Sequence, residues 1–184
     1  MSPADGLKRY ETTLCYIYGE KGVLMLHRTK KENDINKDKY IGVGGHLEHG
    51  ESPEECVLRE VREETGIKMT SFRLRGILTF VIDDIDEITF LYTCDAWEGE
   101  IPFPDAKAPA ACTDAEPVCS VSCDEGELVW IEEDKIEDLP IWPGDKIFFR
   151  LLKERDDVFS LKLTYIHDEL VDAAVDGKKI EFVV

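Results

Sequence analysis

Apolar positions along the chain fall into short β-type runs and two helical stretches. Thr12 to Tyr18 and Val23 to His27 are rich in β-branched, aliphatic and aromatic residues, and Gly19-Glu20-Lys21-Gly22 between them predicts a hairpin. The polar stretch from Arg28 to Lys39 reads as a loop, and Tyr40 to Val43 as a short strand entering the glycine-rich loop Gly42-Val43-Gly44-Gly45. Phe72 to Ile82 and Ile88 to Asp95 predict two more strands around an acidic turn from Asp83 to Glu87, and Leu128 to Ile131 predicts another. Pro143 to Glu154 begins with proline and carries Ile147, Phe148, Leu151 and Leu152 at helical spacing, the pattern of an amphipathic helix. Phe159 to Tyr165 and Leu170 to Val175 form a second hairpin, with Ile180 to Val184 as an added edge. Strands mixed with helices place the chain in the α+β or α/β class, a mixed β-sheet sandwiched between helices.

The remaining helix has the clearest signals at its ends. Ser52, Pro53 and Glu55 make a capping box with proline at the first helical position, and Thr65-Gly66 supplies the stop. Between them, Glu60, Glu63 and Glu64 share one face at helical spacing, while Val57, Leu58 and Val61 are expected on the buried side. Like charges so placed repel, and more strongly when partly desolvated. Hard divalent cations such as Mg2+ or Mn2+ take oxygen ligands and bridge to phosphates, so the cluster is a candidate metal cradle. The glycine loop upstream allows close approach of backbone to the same ion.

Composition narrows the classes of partner. The chain has 184 residues, enough for one domain spanning 1–184 with a sizeable core. Its formal charge of -18 argues against direct nucleic-acid binding, which relies on clustered Lys and Arg. A small polyphosphate arriving as a metal complex remains compatible, with Arg28, Lys30 and Lys31 as a local cationic patch. No apolar run has the length of a membrane span, and a cytoplasmic location with no membrane partner is expected. Of the six cysteines, Cys15, Cys56 and Cys94 lie in apolar patterns and read as buried thiols, whereas Cys112, Cys119 and Cys123 lie in a loop. That loop, 102–123, is rich in Ala, Pro, Cys and Ser and reads as a flexible insertion, either tolerated or serving as a lid or partner site.

Gly45, Glu51, Arg59, Glu60, Glu63, Glu64, Gly66 and Ile67 stand at the spacing G-x5-E-x7-R-E-U-x-E-E-x-G-U, where U is aliphatic. The segment resembles the Nudix hydrolase signature at every fixed position. Leu26 to Glu55, LPIWPGDKIFFRLL from Leu139 and FSLKLTY from Phe159 extend the resemblance to the MutT-type 8-oxo-dGTP diphosphatases of Gram-positive bacteria. The resemblance implies a Nudix fold, a small-molecule nucleotide substrate, Mg2+ or Mn2+ as cofactor, and a monomer or homodimer. The reaction it implies is attack of an activated water on a nucleoside diphosphate linked to X, giving a monophosphate and pyrophosphate from a triphosphate. Glu60 and Glu64 would then hold the metal with the Gly44 carbonyl, Glu63 would act as ligand or base, and Glu125 would add a carboxylate from outside the signature. Arg59 would pair with Glu51 to support the glycine loop. Gly45 and Arg28 would contact substrate, Trp142 and Asp145 would meet the purine, and Phe80 would line the opposite wall. Trp142 can equally anchor its helix, with Asp145 as a first-turn charge. ADP-ribose or another nucleoside diphosphate derivative is the rival substrate. A noncatalytic nucleotide-sensing module is the rival class, disfavoured because every signature carboxylate is present.

Overall fold

The computed structural model describes residues 7–30, 35–101 and 126–182, together with the backbone of Ser122 and Cys123. The elements in chain order are β1 (Lys8–Gly19), β2 (Gly22–His27), β3 (Tyr40–Ile41), α1 (Pro53–Thr65), β4 (Lys68–Ile82), β5 (Ile85–Glu98), β6 (Ser122–Cys123) and β7 (Gly126–Ile131). A 3-10 turn at Glu133–Asp138 precedes α2 (Pro143–Glu154), β8 (Phe159–Ile166), β9 (Glu169–Val175) and β10 (Lys178–Lys179). The strands join one mixed sheet in the order β10-β9-β8-β4-β5-β1-β2-β7-β6, with β3 alongside β2. The pairs β1/β5 and β4/β8 are parallel, and the other neighbours are antiparallel.

Central strands buried on both faces explain the continuous apolar runs in β1 and β2. Cys15, Ile17, Leu24 and Leu26 join a core beneath α1 with Val57 and Val61, whereas Tyr16, Val23 and Met25 join one beneath α2 with Phe148 and Phe149. Successive residues point to opposite faces, so a single strand serves both layers. The sheet is thereby sandwiched between α1 and α2.

Several boundaries depart from expectation. Strand β1 starts at Lys8 because its polar N-terminal half gains a parallel partner, pairing Lys8 with Ile85 through Ile17 with Cys94. The turn between β4 and β5 contracts to Asp83-Asp84, since pairing extends to Ile82 opposite Ile85. The expected strand from Tyr40 to Val43 pairs with β2 only at Tyr40–Ile41, and Val43 turns to bridge Cys15. At the end of the chain the edge strand is Lys178–Lys179 rather than the stretch from Ile180, and residues 183–184 lie outside the described residues. Leu58 is 37% exposed instead of buried, whereas Cys56 is fully buried, its thiol packed against Thr13 and the Gly45 and His46 carbonyls of the loop. The insertion at 102–123, with Cys112 and Cys119, lies outside the described residues apart from the backbone of β6.

Candidate active site

The glycine loop runs alongside β1. Val43 and Cys15 exchange backbone hydrogen bonds of 2.9 and 2.7 Å, Thr13 N donates to Gly45 O at 2.8 Å, and Leu47 N donates to Glu11 O at 3.0 Å. The Gly44 carbonyl is not among the groups bonded to β1. Helix α1 is held against this loop from the other side: the Thr13 hydroxyl lies 3.4 Å from Cys56 Sγ, and that thiol contacts the His46 carbonyl at 3.5 Å. The two predicted caps fix where α1 begins and ends. Glu55 N donates to Ser52 Oγ, Ser52 N donates to Glu55 Oε2, and Gly66 closes the helix at a φ of 76°.

This packing presses Glu60 onto Gly45. A methyl group at Gly45 would stand 2.5 Å from Glu60 Oε1, so any side chain at this position would displace the carboxylate. One turn further along, Glu64 is half-buried with its Oε2 shielded from solvent, while Glu63 is exposed.

Arg59 organises the acidic face. Its Nε and one terminal nitrogen donate to the two oxygens of Glu51 at 2.7 and 2.9 Å, a bidentate pairing. The other terminal nitrogen donates to Glu60 at 2.7 Å and to Glu63 at 3.3 Å, and a further bond of 3.2 Å reaches the His46 carbonyl of the loop. Arg59 therefore pulls its pKa upward, chiefly through Glu51, and holds the Glu51 carboxyl down at about 2. Among the described residues, no three carboxylate, imidazole or thiol side chains converge on one point, because the guanidinium stands among Glu51, Glu60 and Glu63. The donors are nonetheless all hard oxygens packed against a backbone with no side chain, which suits a Mg2+-like ion. Glu125 lies outside the described residues.

On the α2 side of the sheet, Trp142 and Asp145 come together. Trp142 is 8% exposed; its Nε1 donates to Asn36 Oδ1 at 2.7 Å, Tyr165 meets it edge-on at 5.4 Å, and the Lys39 ammonium lies 4.3 Å above the ring. Asp145 is not an exposed first-turn charge: it is 4% exposed, and burial raises its pKa to about 8 against smaller opposing effects of a Trp142 backbone hydrogen bond and Lys39. Its carboxyl is mostly neutral at pH 7. Beside it, the Tyr165 hydroxyl accepts from Gly144 N at 2.9 Å, and the Tyr16 side chain is fully buried in the same core. Phe80 packs half-buried against the same core. Arg28 is half-buried, and its backbone pairs with Asp38 and Lys39 to close the loop that carries Asn36 and Lys39.

Sequence reasoning missed Tyr16, Asn36, Lys39 and Tyr165. Alternation along β1 places Tyr16 on the α2 face once that face is known, but nothing local distinguishes Asn36 or Lys39 within a polar loop.

The NUDIX domain model matches residues 8–152. The chain belongs to the Nudix family. It is 28% identical over 176 residues to the Nudix hydrolase YvcI of Bacillus subtilis, covering 92% of this chain and 96% of that one. It is 39% identical over 94 residues to the 8-oxo-dGTP diphosphatase of Escherichia coli, covering 51% of this chain and 72% of the enzyme. Among solved structures, the MutT protein of Bacillus halodurans superimposes with a TM-score of 0.70 at 27% identity, covering 92% of this chain and 99% of that one. The alternation of β1 between two cores and the glycine loop beside α1 are thus how this chain builds the Nudix fold. Among the described residues, no helix of this Nudix hydrolase is long and apolar enough to cross a membrane.

Proposed function

We propose that the protein is a divalent-metal-dependent nucleoside triphosphate pyrophosphohydrolase that converts 8-oxo-dGTP or a related oxidised purine nucleotide to the monophosphate and pyrophosphate. The observation that carries the hydrolytic part is the contact of Glu60 with Gly45, which brings the acidic face of α1 onto a loop with no intervening side chain. Glu60, Glu64 and the Gly44 carbonyl would hold Mg2+ or Mn2+, with Glu63 and Glu125 as further carboxylates. The ion supplies neutralisation of phosphate charge and acidification of an attacking water. Glu63, exposed on the same helix, would serve as a ligand or as the base, and Arg59 bonds Glu51 and Glu60 beside the loop.

The substrate reading is supported by the diphosphatase of Escherichia coli and by the chemistry around Trp142. A neutral Asp145 can donate a hydrogen bond to a purine edge as well as accept one, and 8-oxoguanine differs from guanine by exchanging an acceptor nitrogen for an N–H beside a carbonyl. Trp142 offers an aromatic face for the base, and Phe80 lines the same layer. Arg28 and Gly45 are the contacts assigned to phosphate.

Pyrophosphate release with Mg2+ across 8-oxo-dGTP, dGTP, the other nucleoside triphosphates and ADP-ribose, with Glu64→Gln as the blank, tests the reading. A preference for 8-oxo-dGTP of at least about tenfold is expected. A preference for ADP-ribose would replace the substrate, and absence of turnover on all of them would overturn the activity.

A further inference from the structure

A buried cation lies at the far end of α2 from Trp142. Strand β4 is irregular there: Leu74 pairs with Tyr92 and Gly76 with Leu91, which leaves Arg75 as the extra residue of a bulge. A bulge re-aims the side chain that it carries. Arg75 turns onto the α2 side, where its Nη2 donates to the carbonyl of Leu152 at 3.0 Å and to that of Arg155 at the helix end. Those bonds anchor α2 through one nitrogen of the guanidinium. The residue is 5% exposed, and its Nε is buried with no hydrogen-bond partner among the described residues. Burial, with Arg73 adding to it, lowers the pKa of Arg75 against weaker opposing effects of Asp156, Tyr18 and Asp157. An arginine still keeps its charge, and a buried charge held by carbonyls rather than by a counter-ion is costly.

Arg75 lines a cavity of about 280 Å3 between β4, β5 and the last turn of α2. Arg73 and Lys153 line it from the strand and from the helix, and Ser71 and Thr93 add hydroxyls. Glu133 and Asp95 line it too, so three cations face two carboxylates and the positive charge is in excess. The ion pair of Arg73 with Asp156, at 3.3 Å, is largely in solvent and readily exchanged for another anion. Donors on opposite walls suit a tetrahedral oxyanion, which accepts from several directions at once, better than a planar carboxylate. We propose that this cavity binds a phosphate group, free or at the end of a small phosphate ester, with Arg75 as the buried cation and Arg73 and Lys153 as the exposed ones. Trp142 stands before the first turn of α2 and Leu152 near its last, about 15 Å apart along the helix, so the cavity is separate from the candidate active site and does not rest on the hydrolytic reading.

Nuclear magnetic resonance titration of the full chain tests the assignment, with EDTA present so that no divalent ion carries phosphate to α1. The probes are inorganic phosphate, ribose 5-phosphate and acetate. Phosphate in either form is expected to move the Arg75 Nε–H signal and the amides of Arg73, Thr93 and Lys153 saturably at millimolar concentration, and the tighter of the two identifies the source. Acetate, with fewer charge-assisted hydrogen bonds to make, should bind about tenfold more weakly. The double variant Arg73→Gln with Lys153→Gln spares the buried anchor of α2, so its melting temperature should stay within a few degrees of the parent. Its affinity for phosphate should fall about tenfold or more. An unmoved Arg75 Nε–H signal, acetate bound as tightly as phosphate, or a double variant that binds phosphate as well as the parent would each overturn the site.

Discussion

Both carboxylate oxygens of Glu51 are held by the guanidinium of Arg59, at 2.7 and 2.9 Å, across eight residues of sequence. The pairing spans from the loop before α1 to the middle of that helix, so it fastens the loop that carries Gly45 to the helix that carries Glu60. Arg59 also lowers the pKa of Glu51 from 4.5 to about 2, with the Glu48 backbone N–H adding to the effect. A carboxyl whose pKa is depressed by folding contributes stability that is present above about pH 4.5 and lost as pH falls toward 2. Melting temperatures between pH 5 and pH 2 should therefore fall more steeply in the parent protein than in Glu51→Gln. Parallel curves would mean that the pair does not stabilise the fold.

Gly45→Ala should separate catalysis from folding. The added methyl meets Glu60 Oε1 at 2.5 Å, so the carboxylate must move, yet no left-handed backbone is required at this position. Turnover is expected to drop by about a hundredfold, since misplacing a reacting group by an ångström costs that order. The melting temperature should change by only a few degrees. Turnover within threefold of the parent would show that the Glu60 position is not used.

Metal binding should register as stability. A ligand that binds only the folded chain stabilises it by about 2.7 kcal/mol at a hundred times its dissociation constant. Saturating Mg2+ is expected to raise the melting temperature of the parent protein and to leave Glu60→Gln and Glu64→Gln nearly unmoved. Equal shifts in all three would place the ion elsewhere.

Asp145 predicts an opposite dependence on pH. Its carboxyl is raised from 3.8 to about 8 by burial, so the folded chain retains a proton that the unfolded chain releases. Stability from this group is fully present below about pH 3.8, erodes as pH rises, and is gone above about pH 8. Asp145→Asn should thus be more stable than the parent at pH 8.5, with the advantage shrinking toward pH 4.5. Denaturation midpoints at the two pH values measure it, and a constant difference would refute the raised pKa.

Trp142 has a packing role whatever it binds. It sits in the core beneath α2 against Tyr165, so Trp142→Ala should cost about 3–5 kcal/mol in chemical denaturation. Trp142→Phe should recover much of that stability while losing the Nε1 bond to Asn36. A loss below about 1 kcal/mol for the alanine variant would contradict the burial.

What the sequence determined by itself was local or periodic. The capping box at Ser52, the stop at Gly66, the hairpin at Gly19 to Gly22 and the spacing of Glu60, Glu63 and Glu64 depend on neighbours a few residues apart, where backbone preference and helical geometry act directly. The span of α2, Pro143–Glu154, was readable for the same reason. Tertiary structure decided whatever depends on partners distant in the chain. The polar start of β1 became a strand only because β5 supplied a parallel partner more than seventy residues away. The two sides of α1 were sorted by the sheet, which took Cys56 and left Leu58 in solvent. Asp145 was a first-turn aspartate in sequence, and only burial beside Tyr16, Trp142 and Tyr165 gave it a proton at neutral pH. Charge and hydrogen-bonding capacity are written into residue types, but desolvation belongs to the packed chain.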